Sequence, residues 1–242
     1  MKLTFQQPFF FPYLTYFDLI NRVDQWIVFD TAQYVKWTSR NRVLHPNSGW
    51  LYIIVPVKKH PQKTPINQIE ISTNSDWKAI ILRQLQHYEK VAPYYAQVMG
   101  FLEDCFMDSE TNLARFDTGL FKKTCHRLGI EKPIHVYSEM DLPLPEPVNE
   151  PGDWGLRIAQ AAGASEFVCL PLPAGAAYMD ENKYRENGIQ MTIIPFRHMS
   201  YACGRYQYQP DLSIIDVMMW NSCEKIKHFL DTLLDDGYTT TY

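Results

Sequence analysis

One short stretch of this chain concentrates the chemistry of anion recognition. Lys36, Arg40 and Arg42 lie close together, with Asn41 between the arginines and Gln33 and His45 nearby. A guanidinium fork grips phosphate or carboxylate through two parallel hydrogen bonds, and an ammonium acts as a point charge. If the stretch is extended, Arg40 and Arg42 share one side and Asn41 faces the other. A solvated charged loop would have the same composition, so residue types alone leave both readings open. A second stretch, from Gln7 through Tyr16, joins an amide to two phenols, Tyr13 and Tyr16, around Pro8 and Pro12. The amide of Gln7 can read a ligand group, and the phenols can hydrogen-bond a phosphate although they are never cationic. Phe10 and Phe11 read instead as core plugs. For proton transfer the candidates are Asp30 and His198, the latter flanked by Arg197 with Arg205 nearby. Each has a plainer alternative: Asp30 as a turn cap, His198 as an exposed or structural residue.

Other chemistries find little support. None of the seven histidines has HxxxH or HExxH spacing, so no preformed metal site is expected. GxSxG, GxxxxGKS and GxGxxG are absent, which weakens hydrolase, P-loop and dinucleotide readings. The five cysteines are odd in number and lack CxxC spacing, so they read as reduced thiols. Cys169 and Cys203 are the better placed if one is a nucleophile, against the commoner buried role. A net charge of −4 argues against an extended nucleic-acid surface, although a local basic pocket is compatible with it. There is no apolar run long enough to span a membrane and no signal-peptide pattern, so a cytoplasmic location is expected. Aromatic residues make up 14% of the chain, enough to line a pocket or an interface as well as a core.

The elements that must position these residues follow from periodicity. Lys2–Gln6 alternates as a strand, Tyr13–Val23 has helical spacing, and Trp26–Phe29 is a short apolar run, together a βαβ unit. Further strands are expected at Trp50–Val57, Ile66–Ile71, Ile134–Tyr137, Glu166–Leu170 and Gln190–Pro195. Helices are expected at Trp77–Tyr88 behind a Ser75 or Asp76 cap, then at Tyr94–Phe106, Leu113–Leu128, Gly155–Ala162, Leu212–Trp220 and Cys223–Leu234. Gly175, in the Pro171–Ala177 loop, would permit close ligand approach. The fold class is therefore α/β: a mostly parallel, Rossmann-like sheet flanked by helices, with a helical insertion and a helical C-terminal part. The organisation expected is an N-terminal α/β portion (1–140), a Pro-rich connector (141–151) and a C-terminal α/β portion (152–242), packed as one unit. Asp30 would then stand at a strand's C-terminal end, where open α/β sheets bind ligands.

The runs QPFFFPYLTYFDLI and VDQWIVFDTAQYVKWTSRNRV, continued by INQIEI, LGIEKPI and DLSIIDVMM, resemble the WbqC-like family over nearly the whole chain. The chain departs from the family pattern at Thr15, where Gly is usual, at Thr31 and at Trp37-Thr38-Ser39. The resemblance implies a setting in bacterial surface-polysaccharide biosynthesis and supports binding roles for Lys36, Arg40, Asn41 and Arg42. A weaker likeness of layout links the strand–loop–helix opening to HxGH nucleotidyltransferases, with Tyr13 and Tyr16 at the two His positions and Thr15 at the Gly. Two readings follow. One is an enzyme that transfers an acyl or aminoacyl group to an amino sugar or related small molecule, or ligates it with a nucleotide. Its partners are a small-molecule substrate and a phosphate-containing donor, with ATP or another nucleotide and Mg²⁺ as the candidate cofactor. The other is a non-catalytic protein that binds a nucleotide-linked sugar or a pathway partner.

Overall fold

The computed structural model describes residues 1–171 and 179–235. Gly175 and the last residues of the chain lie outside them. Five strands form one parallel sheet: β1 (Lys2–Gln6), β2 (Gln25–Val28), β5 (Ile134–Val136), β6 (Glu166–Cys169) and β7 (Gln190–Ile193), in spatial order β5-β2-β1-β6-β7. β1 is central: the chain builds outward on one side through β2 and β5, then returns to build the other side through β6 and β7. Counting only these strands the order is 3-2-1-4-5, the doubly wound pattern with its switch point between β1 and β6. β3 (Arg40–Leu44) and β4 (Trp50–Ile54) stand apart as an antiparallel hairpin with Arg42 opposite Tyr52.

Strand alternation divides the core between the two faces of the sheet. Leu3, Ile27, Phe29, Phe167, Cys169 and Met191 pack with α5 (Asp153–Ala161) and α6 (Glu181–Glu186) on one face. On the other, Trp26, Val28 and Val168 meet α1 (Leu14–Arg22) and α4 (Leu113–Arg127), with Phe121 of α4 4.8 Å from the Trp26 ring. α1 is buried along almost its whole length because α8 (Cys223–Asp235) covers the side away from the sheet. The helical insertion is α2 (Trp77–Gln84), α3 (Tyr95–Phe106) and α4; Asp76 caps α2 by accepting from the Ala79 N–H at 3.1 Å. Among the described residues no helix is long and apolar enough to cross a membrane.

Two expectations need correction. Ile66–Ile71 is not a strand: Ile66–Gln68 is a 3-10 turn, and only Glu70 and Ile71 make isolated bridges. The Ile66 and Asn67 N–H groups donate to the carbonyls of Ala32 and Asp30, which pulls the segment across the end of β2 instead of along a strand. The buried positions are Ile66, Ile69 and Ile71, a spacing of three and then two that only resembles alternation. The Trp77–Tyr88 helix ends at Gln84 and tightens into a 3-10 turn; α6, which is not among the expected helices, has too few residues to show a period.

One buried network joins the insertion to α7 (Ile214–Trp220). Asp216 accepts from the Leu44 N–H and the Tyr201 hydroxyl, each at 2.9 Å, and from the Tyr88 hydroxyl. Burial raises its carboxyl from 3.8 to about 6, with these three donors pulling against the rise. The folded state therefore holds this proton more tightly than the unfolded chain. The associated stability is present below about pH 4 and is lost as pH climbs through about 6, roughly 3 kcal/mol at about 1.4 kcal/mol per pH unit. Urea unfolding of wild type and Asp216→Asn at both ends of that window should show the difference between them changing by about this amount. A pH-independent difference would refute it.

Candidate functional site

A cavity of about 1000 Å³ opens over the carboxyl ends of β1, β2 and β6, at the switch point. Each strand delivers residues to it: Phe5 to Gln7 from β1 and its exit, Phe29 and Thr31 from the exit of β2, and Phe167 and Cys169 from β6. Pro151 and Gly152 bring the N-terminus of α5 to its edge, and Arg40, Asn41, Arg42 and Tyr52 form a wall from the hairpin. The cavity is mainly apolar and rich in aromatic side chains, with a few convergent polar groups, the usual make-up of a small-molecule site.

The hairpin wall carries the positive charge. Arg40 and Arg42 project to the same side of β3 and Asn41 to the other, as an extended backbone requires. The Arg40 guanidinium lies 4.2 Å over the Tyr52 ring, and Arg42 lies 5.2 Å from that of Trp50. These cation–π contacts hold the forks while leaving their charge available. Arg42 also donates to the Asp211 carbonyl at 3.0 Å, and the Nε of Arg40 is buried without a partner among the described residues. Neither guanidinium is ion-paired among the described residues; the carboxylate of Asp211, which lines the same cavity, is paired with His198 at 3.0 Å.

Asn41 is the joint of this wall. Its Nδ2 donates to the Phe11 carbonyl at 2.6 Å and to that of Phe10 at 3.3 Å, while its Oδ1 accepts from the Arg42 N–H. Ser213 adds a hydroxyl donor to the Phe11 carbonyl at 2.8 Å. Phe11 has φ of 40° and Asp211 φ of 55°, left-handed values costly for non-glycine residues. Asn41 thus pins the strained β1–α1 loop against the hairpin, and the loop with the first turn of α1 places Gln7, Phe9, Tyr13 and Tyr16 along the cavity.

Burial and the nearby Asp211 carboxylate push the Tyr13 phenol up to about 12; Tyr16, more deeply buried, is held well above the ordinary phenol range. Both stay neutral donors at physiological pH. Their rings lie 5.3 Å apart. Thr15, between them in sequence, faces instead a small void beside Arg197 and His198. Cys169 lines the cavity, but burial pushes its thiol up to about 12, as it does for Cys203, so neither is a thiolate near neutrality.

Of the sequence-derived candidates, Gln7, Tyr13, Tyr16, Gln33, Arg40, Asn41 and Arg42 come together around this cavity. Gln33 sits at the rim, its amide donating to the Gln62 carbonyl at 3.0 Å. Lys36 is exposed and Asp30 and His198 lie elsewhere; none of these three is among the cavity residues. Asp30 does stand at the end of β2, but Phe29 takes the side facing the cavity, and one residue along a strand reverses the face. Its carboxylate accepts from the N–H and hydroxyl of Ser138, tying the end of β2 to the turn after β5. Asp30→Asn should cost about 1–2 kcal/mol in urea unfolding, from weakening those two bonds, and leave ligand affinity at the large cavity unchanged. A tenfold loss of affinity in the folded variant would contradict this placement.

Two acidic residues are not among the sequence-derived candidates. Asp211 enters through a left-handed turn that nothing in its neighbours announces. Asp117 did leave a signal: within Leu113–Cys125 it occupies the apolar face that Leu113, Phe116, Leu120, Phe121 and Thr124 define.

The sequence profile of the WbqC-like protein family matches residues 7–228. The chain is also similar to the uncharacterized protein Rv1507c of Mycobacterium tuberculosis, 27% identical over 224 residues, covering 90% of this chain and 92% of that one. No solved structure matches.

Proposed function

This chain belongs to the WbqC-like protein family, and from that premise we propose that the switch-point cavity binds a phosphate-containing donor, a nucleotide or nucleotide-linked sugar. With that donor the protein transfers an acyl or aminoacyl group to an amino sugar or related small molecule, or ligates the two, in surface-polysaccharide biosynthesis. The observation that carries the reading is the pair of arginines, Arg40 and Arg42, without an ion pair among the described residues, on one face of β3 above an aromatic-rich cavity. Arg forks suit phosphate oxygens, and aromatic walls suit a base or sugar ring. Tyr13, a neutral phenol, donates a hydrogen bond to the ligand. Asp211 is the carboxylate available to accept a proton at the cavity, with His198 as its positioning partner.

A second reading, a non-catalytic binder of a nucleotide-linked sugar, is favoured by one observation: neither Asp30 nor His198 reaches the cavity. Thermal unfolding with ATP, AMP, CTP, coenzyme A and UDP- or dTDP-linked amino sugars, each with and without Mg²⁺, tests the common premise. A probe at a hundred times its Kd stabilises the native state by about 2.7 kcal/mol. A raised Tm with one class identifies the donor, and product formation with that donor separates enzyme from binder. No shift with any probe would overturn both readings.

A further inference from the structure

Behind the large cavity lies a recess that the donor reading does not use. Asp117 is 1% exposed, and neither of its carboxyl oxygens has a hydrogen-bond partner among the described residues. The Oε1 of Gln7 is also buried and unpartnered. Both residues line a void of about 10 Å³, together with Pro8, Phe9, Tyr16 and Trp26. Gln7, Phe9 and Tyr16 line the large cavity as well, so the two spaces adjoin at these three residues. The hydroxyl next in sequence, Thr118, donates to the Ala114 carbonyl at 2.6 Å and is not spent on Asp117.

Three acceptor oxygens without a hydrogen-bond partner among the described residues therefore belong to side chains that line one small void. Buried polar atoms are nearly always satisfied, and a carboxyl left without a donor in an apolar setting is costly. A group that fits must be about the size of a water molecule and rich in N–H donors. An alkylammonium is such a group: it has three N–H donors, one for each free oxygen, and no acceptor to clash. A hydroxyl offers one donor, and an acetylated amine offers one N–H with a carbonyl attached.

We propose that this recess, formed by Asp117 and the side-chain carbonyl of Gln7, receives the primary amino group of the acceptor substrate. The inference rests on the cavity being a ligand site and narrows the acceptor class to primary amines, with the ring or chain that bears the amine lying in the aromatic cavity. Burial also raises the Asp117 carboxyl well above its ordinary range, and a cationic partner would reverse that rise.

The test is calorimetric titration of glucosamine, glucose and N-acetylglucosamine into wild type, Asp117→Asn and Gln7→Met. Wild type should bind glucosamine about tenfold or more tightly than either neutral sugar, and both variants should lose that preference. Equal affinities in wild type, no binding of glucosamine at all, or a preference retained in folded Asp117→Asn would each overturn the assignment. Should Asp117→Asn not fold, Gln7→Met decides alone. Nucleotide binding without amine preference would refute the recess and leave the donor reading intact; amine preference without nucleotide binding would do the reverse.

Discussion

Replacing both Arg40 and Arg42 with alanine should weaken binding of whichever nucleotide probe the wild type accepts by about a hundredfold or more. Each charge-assisted hydrogen bond to a phosphate contributes about 1.5–3 kcal/mol, and every 1.4 kcal/mol is tenfold in Kd. The fold should barely respond to loss of Arg40, whose contact is the Tyr52 ring, worth about 0.5–1 kcal/mol at an accessible site. Arg42→Ala additionally frees the Asp211 carbonyl, so a further loss of about 1 kcal/mol is expected there. Arg40→Lys is the informative intermediate. It keeps the charge and loses the fork, so it should fall between wild type and alanine if bidentate geometry matters. The two sites share one face and one ligand, so the effects should not add. Titration of these five proteins at fixed salt settles the matter: an unchanged Kd in a folded double variant would mean that these arginines are a solvated surface.

Much of this arrangement was legible because local chemistry and global fold agree. The strand–loop–helix–strand opening could be read from periodicity because α1 lies between two parallel strands that differ from it in period. The facing of Arg40 and Arg42 followed from backbone geometry alone. Partners distant in the chain were not legible. Nothing near Asn41 shows that its amide would reach the carbonyls of Phe10 and Phe11, some thirty positions earlier. Asp30 stands at the strand end where the sequence puts it, while Phe29, one residue before, takes the cavity side, because a strand's apolar run does not say which neighbour each face meets. Ile66–Ile71 failed for a related reason: hydrogen bonds to Asp30 and Ala32 overrode its local pattern. Asp117 was visible as a carboxylate on an apolar helical face, but its meaning depended on the void opposite, which only the packing of α4 against the β1–α1 loop creates.

The strained loop that defines one side of the site should depend on a single amide, and Asn41→Asp should be the most destabilising conservative change in this region, by about 3–4 kcal/mol. The replacement is isosteric, so no cavity contributes. What changes is the sign of the contact: Nδ2 donates to two buried carbonyls, and a carboxylate oxygen in its place faces them as a third acceptor. Ionised, the group is a buried charge among lone pairs; protonated, it has one donor for two carbonyls. Phe11 then loses one of the two donors that hold its carbonyl and with it part of the restraint that keeps φ at 40°. Asn41→Ala removes the donor without adding repulsion and should cost less, about 2 kcal/mol. Ser213 still holds the Phe11 carbonyl in either variant, which is why a local rearrangement of the loop, and not global unfolding, should be the first consequence. Urea unfolding gives the energies, and affinity for the nucleotide probe reports the loop, because Tyr13 and Tyr16 depend on it for their place at the cavity. If Asn41→Asp matched wild type within about 0.5 kcal/mol, this amide would not be the joint between loop and hairpin, and the left-handed turn at Phe11 would have to be held by Ser213 alone.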